Sequence, residues 1–232
     1  MSAGGNVNQM QARAHSKAGQ VYDAVKEAIL SGELEPGQAI DKLALCERLG
    51  VSRFPVSAAI SRLAFERLVR VEPQHGSFVA PISAGDVREL LFVRQALEGE
   101  IAARAALELD EATRADLTEN LGQSEAAAEA GDRARFYALD VGFHALLTER
   151  LGLRRSEEIL DGVRQHLERP RRLLMTPPGR MRDTLAEHRA VFSAIETRRP
   201  EAARAAMSAH IATVAHTFEA LAKAKPGLFA PA

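Results

Sequence analysis

The chain has 232 residues, 46% apolar and 26% charged, with 30 Lys/Arg against 31 Asp/Glu. That length suits one large or two modest globular domains, and a near-zero net charge means that bulk electrostatics single out no polyanionic partner. No apolar run approaches the roughly 18 residues of a membrane span. A single cysteine, Cys46, permits no internal disulfide, so a cytoplasmic protein with no membrane partner is expected.

Residues 1–16 lack the apolar core of a secretory signal and read as a flexible tail. A first helix is expected over Ala18–Ser31, with Val21, Val25, Ala28 and Ile29 on one face and Gly32 as its stop. After a turn at residues 33–37, Asp41 should cap a short helix that turns Leu45 and Leu49 inward. Gly50 then breaks the chain. Ser52 is expected to cap the next helix, with Pro55 in its first turn and Val56, Ala59, Ile60, Leu63 and Arg67 on one face. Val69-Arg70-Val71 and Ser77-Phe78-Val79 alternate about the turn Gln74-His75-Gly76, which predicts a small hairpin.

Three helices, the last two joined by a tight turn, followed by a hairpin, make a winged helix-turn-helix over residues 17–82. With Val56, Ile60 and Leu63 inward, Phe54, Ser57, Ala58 and Ser61 face outward and Arg53 stands at the helix tip. Small residues let such a helix enter the major groove, and an arginine at the tip can reach a guanine edge or a phosphate. Residues 16–82 carry eight basic and eight acidic side chains, yet residues 52–70 set Arg53, Arg62, Arg67 and Arg70 against Glu66 alone.

Residues 83–224 are predicted to be helical almost throughout, near 84–108, 111–130, 133–151, 153–175, 179–198 and 200–223. Asp110, Asp132 and Pro200 mark starts, Gly131 and Gly152 mark stops, and Pro177-Pro178-Gly179 is a break. The expected fold class is therefore mainly α: a winged helix-turn-helix and then an antiparallel all-α bundle, with residues 225–232 as a C-terminal tail.

Polar residues interrupt the apolar stripes of that bundle at four positions. Asp140 and His144 lie four apart beside Phe136, Leu147 and Leu151, His188 lies among Leu185, Val191, Phe192 and Ile195, and His210 lies between Met207 and Val214. One such histidine alone is an ordinary core residue with a hydrogen-bonded partner. Three on separate helices with a carboxylate one turn away form a mixed N/O set suited to a divalent transition metal, zinc first, or nickel, manganese or iron. Arg94 also lies on an apolar stripe, with Glu98 four residues on. It reads either as a surface ion pair or as a buried guanidinium that clamps a ligand carboxylate. The cluster Arg164, Arg169, Arg171, Arg172, Arg180 and Arg182 reads as a solvated face.

The segments AILSGELEPGQAI, LGVSRFPVSAAISRL and HGSFV, and then VRQALE, DVGFHALL, EHRAVFSAI and AMSAHI, resemble in order the GntR-type transcription regulators with an all-helical FCD ligand-binding domain. The resemblance spans about Lys17 to Ala222. It implies a homodimeric repressor or activator, repressor being the first expectation, that binds a pseudo-palindromic double-stranded DNA operator and responds to a small organic acid. It places Lys42, Ser52, Arg53, Phe54, Ser57, Arg62, His75 and Gly76 at DNA-contacting positions. It also places Asp140, His144, His188 and His210 on the metal ligands and Arg94 on the effector-contacting arginine. Phe54 and Ser57 stand where the family commonly has threonine and arginine, so a base or phosphate contact differs here. The Asn-Pro pair that often follows the metal-ligand helix is absent after Leu151. The competing expectation is an all-α metalloenzyme in which a His3Asp site activates water for hydrolysis. No general base of the H-E-x-x-H kind accompanies the ligands.

Overall fold

The computed structural model describes residues 16–174 and 179–230. The expected tail before Ser16 and the break at Pro177-Pro178 lie outside the described residues. The chain divides into two compact units, one holding the residues up to Ser83 with those from Pro226 on, the other holding Ala84–Lys225.

In the first unit, α1 (Lys17–Ser31), α2 (Lys42–Leu49) and α3 (Arg53–Phe65) precede β1 (Val69–Glu72) and β2 (Gly76–Val79). Local chemistry sets the boundaries. Ser16 Oγ accepts from Gly19 N at 3.0 Å at the start of α1, and Asp41 Oδ1 accepts from Leu43 N and Ala44 N at the start of α2. Gly50 ends α2 at φ 61°, a conformation that costs a residue with a Cβ and lets α3 turn away at once. Ser52 occupies the N-cap of α3, but contrary to expectation its side chain makes no capping bond. Arg67 is also placed differently. The helix stops at Phe65, and Arg67 is exposed in the turn at φ 56°.

Val21, Val25, Ile29, Leu45, Val56, Ile60, Leu63, Val69 and Val79 form one core. Each fully buried aliphatic side chain contributes about 1.5–3 kcal/mol relative to exposure. Glu66 is a buried polar hub within this unit. It accepts from Tyr22 Oη at 2.7 and 2.8 Å, from Arg62 Nε at 3.2 Å and from Lys26 Nζ at 3.5 Å, so α1 and α3 are tied by more than packing. The strands pair antiparallel with Val69 opposite Val79 and Glu72 opposite Gly76. Residues 38–40 add a short edge to the hairpin through Ile40 N to Ser77 O and Val79 N to Gln38 O. Residues 226–230 contain a 3-10 turn, Pro226–Leu228, and bond Ile82 through Ile82 N to Leu228 O and Ala230 N to Ile82 O, each 2.9 Å.

The second unit contains α4 (Ala84–Glu108), α5 (Glu111–Ala130), α6 (Arg133–Arg150), α7 (Arg154–Leu174), α8 (Arg180–Glu196) and α9 (Pro200–Ala224). Asp110 and Asp132 cap α5 and α6 by accepting from Thr113 N and Arg135 N, and Pro200 opens α9, where a missing N–H is harmless. α4 packs most extensively on α9, α9 on α8, and α5 on α6. Their facing stripes include Leu91, Ile101, Phe136, Phe143, Leu147, Val191, Ile195 and Met207. No described helix is long and apolar enough to cross a membrane.

Candidate functional site

Two surfaces follow from this architecture. On the first unit, burying Val56, Ala59, Ile60 and Leu63 leaves Arg53, Phe54, Ser57, Ala58, Ser61 and Arg62 exposed along α3. Phe54 is 83% exposed, so it does not pack back onto the turn. Ser52, His75 and Gly76 are exposed and Lys42 is half-buried. Arg62 is engaged within the domain: besides Glu66, its guanidinium lies 3.6 Å from the Tyr22 ring centroid. Arg53 thus stands at the tip of a face that is otherwise small, aromatic or internally paired.

In the second unit, helical periodicity carries Asp140 and His144 on α6, His188 on α8 and His210 on α9 into the interior, where the fold brings all four together. Each offers one ligand atom, and those atoms lie within 4.8 Å of one another. The imidazole centroids are 4.7–5.2 Å apart, and the Phe143 ring stacks on His188 at 4.2 Å.

The surrounding groups decide which atoms face inward. His144 Nδ1 lies 2.7 Å from Glu98 Oε2, leaving Nε2 at 3.3 Å from Arg94 Nη2. His210 Nδ1 lies 2.7 Å from Glu187 Oε2, and Arg180 grips the same carboxylate at 2.8 and 3.1 Å. A carboxylate on the outer nitrogen orients an imidazole and raises the basicity of the inner one. His188 Nε2 is buried without a hydrogen-bond partner and lies 3.5 Å from Asp140 Oδ1. An orphaned buried nitrogen is rare in native interiors. Asp140 Oδ2 accepts from Arg171, which leaves Oδ1 facing the histidines.

Protonation states agree with this set. Burial lowers His144 to about 4 and pushes His188 well below the ordinary imidazole value, so both are neutral at pH 7. Burial would raise Asp140, but Arg171 and the three histidines outweigh it and hold the carboxyl well down. Burial would also raise Glu98, and Arg94 and His144 outweigh it in the same way. Imidazole nitrogens and an ionised carboxylate are donors that suit a divalent transition ion, so the buried cluster could hold a metal.

A narrow cleft with about 10 Å³ of free room opens beside the cluster and is lined by Arg94, Asp140, Arg171, Arg180, Thr184 and His210 among others. Arg94 is only 1% exposed, and its Nε and Nη2 bond Glu98 at 2.8 and 3.2 Å. The expected i, i+4 pair with Glu98 is present, but it is buried and not on the surface. The reading of the arginine cluster as a solvated face is corrected: Arg164, Arg169, Arg171 and Arg180 are buried, and only Arg182 is fully outside. Carboxylates answer two of them, buried Asp140 facing Arg171 and half-buried Glu187 facing Arg180. Glu187, Arg171 and Thr184 were not foreseen. Thr184 stands one turn before His188 and Arg180 two turns before Glu187, spacings that place each pair on one helix face.

The geometry has counterparts. Residues 17–79 match the model for bacterial regulatory proteins of the gntR family, and residues 89–213 match the FCD domain. The chain is 31% identical over 201 residues, 85% of this chain and 87% of the relative, to the HTH-type transcriptional repressor RspR of Escherichia coli (strain K12). It is 33% identical over 214 residues, 90% of this chain and 88% of the relative, to an uncharacterized HTH-type transcriptional regulator of Streptomyces ambofaciens. Its fold matches the solved structure of E. coli McbR/YncC with a TM-score of 0.70 at 22% identity, covering 89% of this chain and 99% of that one. These relatives are regulators, and the metalloenzyme alternative is not favoured. A winged helix-turn-helix matched by one family model, followed by a helical unit matched by the other, places this chain in the gntR family with an FCD domain, as a transcriptional regulator and not an enzyme.

Proposed function

We propose that the protein is a cytoplasmic, homodimeric repressor that reads a pseudo-palindromic operator through α3 and responds to a small organic acid bound beside a metal in its helical unit. One observation carries the metal part. Glutamate oxygens lie 2.7 Å from the outer nitrogens of His144 and His210, His188 Nε2 has no hydrogen-bond partner, and an ionised Asp140 oxygen faces them in the same buried space. Asp140, His144, His188 and His210 would hold a divalent ion, zinc first among zinc, nickel, manganese and iron. That ion would supply a Lewis-acidic position for an anion's oxygen. Arg94 would orient the anion. Its Nε and Nη2 face Glu98, and Nη1 remains for an incoming carboxylate. Arg53 would contact a base or phosphate, flanked by Ser52, Phe54 and Ser57, with Lys42, Arg62 and the wing residues His75 and Gly76 around it. Two symmetric half-sites are expected because one small helix spans few base pairs.

The test is elemental analysis with operator binding. Purified protein should carry about one transition ion per chain, and the His188→Ala, His210→Ala double variant should carry little. An organic acid should shift thermal stability and operator affinity together, because linkage couples the two sites in both directions. Full metal content in the double variant would place the metal elsewhere. Acid binding without any change in operator affinity would remove the regulatory link.

A further inference from the structure

The cleft has a second polar wall with two donors, Arg171 Nη1 and Thr184 Oγ1, that neither the metal ligands nor Arg94 uses. Arg171, near the end of α7, is 4% exposed. Its Nη2 donates to Asp140 Oδ2, while Nη1 is buried with no hydrogen-bond partner. Thr184 on α8 is 0% exposed, and its Oγ1 is likewise unpartnered. Both residues line the cleft that Arg94, Asp140 and His210 also line. Donors buried this way are unfavourable unless something they can bond occupies the space.

Charge gives the occupant's class. Arg94, Arg171 and Arg180 face Glu98, Asp140 and Glu187 one for one, so the ionised groups about the cleft cancel. A divalent ion in the cluster would add two positive charges to a buried place whose arginines and carboxylates are already paired with one another. A monoanion would leave one of them unmatched, whereas a dianion matches both.

We infer that the cleft receives a small dianionic acid, one acidic group directed to the metal and Arg94 and the other to Arg171 Nη1 and Thr184 Oγ1. This rests on the effector-site reading above and names its ligand class. The shared chemistry is two singly charged acidic groups on a short carbon frame, as in a dicarboxylate. Thr184 Oγ1 offers a hydrogen bond that a monoacid seated on the metal would not use.

Calorimetric titration of the full-length, zinc-loaded protein tests this with matched pairs: succinate against butyrate, and malate against 3-hydroxybutyrate. The dianion of at least one pair should bind tenfold or more tightly than its monoanionic match. Thr184→Val removes only a hydroxyl that has no protein partner, so the fold is not at stake, and it should lower the dianion-to-monoanion ratio about tenfold. Arg171→Gln should bring the ratio close to one, with zinc content measured in parallel because Arg171 also holds Asp140. Equal binding within every pair, or a wild-type ratio retained in Thr184→Val and Arg171→Gln, overturns the inference and leaves the effector-site reading standing. Failure of every acid to bind the zinc-loaded protein would remove that reading, and this inference with it.

Discussion

Glu187 offers the sharpest probe of how the metal cluster is held, because it is not itself a proposed ligand and reaches the cluster only through the outer nitrogen of His210. Its carboxylate receives His210 Nδ1 at 2.7 Å and Arg180 at 2.8 and 3.1 Å. Burial would raise it, yet the bonds from His210 and Arg180 hold it below the ordinary glutamate value, so it is ionised at pH 7. Glu187→Ala therefore does two separable things. It leaves the Arg180 guanidinium, 7% exposed, without its charge partner. Breaking a buried pair from one side costs about 3–5 kcal/mol, and because the Glu187 side chain keeps 19% of its exposure the lower figure applies. About 3 kcal/mol corresponds to roughly 10 °C in Tm for a unit of this size. The variant also frees His210 to rotate, and loss of such an outer carboxylate typically weakens metal binding about 10–100-fold. The double variant Arg180→Met, Glu187→Met should recover most of the stability, since neither charge is then left alone, while metal affinity stays low. Thermal melts of chelated protein give the first quantity, and zinc competition against a chromophoric chelator gives the second. Wild-type zinc affinity in Glu187→Ala would mean that His210 is not a ligand oriented through Nδ1.

Arg53→Ala should weaken operator binding by about 1–3 kcal/mol in a gel-shift titration and relax specificity at one base pair per half-site. A loss equal on all DNA sequences, with a shallower salt dependence, would instead assign Arg53 to a phosphate. Tyr22→Phe removes the hydroxyl that donates to buried Glu66 and should destabilise the first unit by about 1–3 kcal/mol in urea, the range for a hydrogen bond to a charged acceptor. Because Arg62 lies on both Tyr22 and Glu66, the same variant should measurably lower operator affinity, and an unchanged gel shift would separate Arg62 from the DNA-facing surface.

Local features of the sequence settle a good deal in this protein. Gly50 and Gly131 end helices because a positive φ suits a residue without a Cβ, and Asp41, Asp110 and Asp132 begin them because a short carboxylate reaches the free N–H groups of the first turn. The 3.6-residue period alone turns Val56, Ile60 and Leu63 inward and sets His144, His188 and His210 in the apolar stripes of three helices. Convergence is another matter. A period says which way a side chain points and nothing of what it meets, so only the packing of α6, α8 and α9 brings three imidazoles and Asp140 within 4.8 Å. Only packing, likewise, brings Glu98 to His144 and Glu187 to His210, across 46 and 23 residues of chain. The arginines show the limit most plainly. Arg164, Arg169, Arg171 and Arg180 look like a solvated face when charge is read along the chain, because a guanidinium in water costs nothing. Burial becomes tolerable only when a carboxylate from elsewhere meets it, as Asp140 from α6 meets Arg171, and that partnership is a property of the folded state.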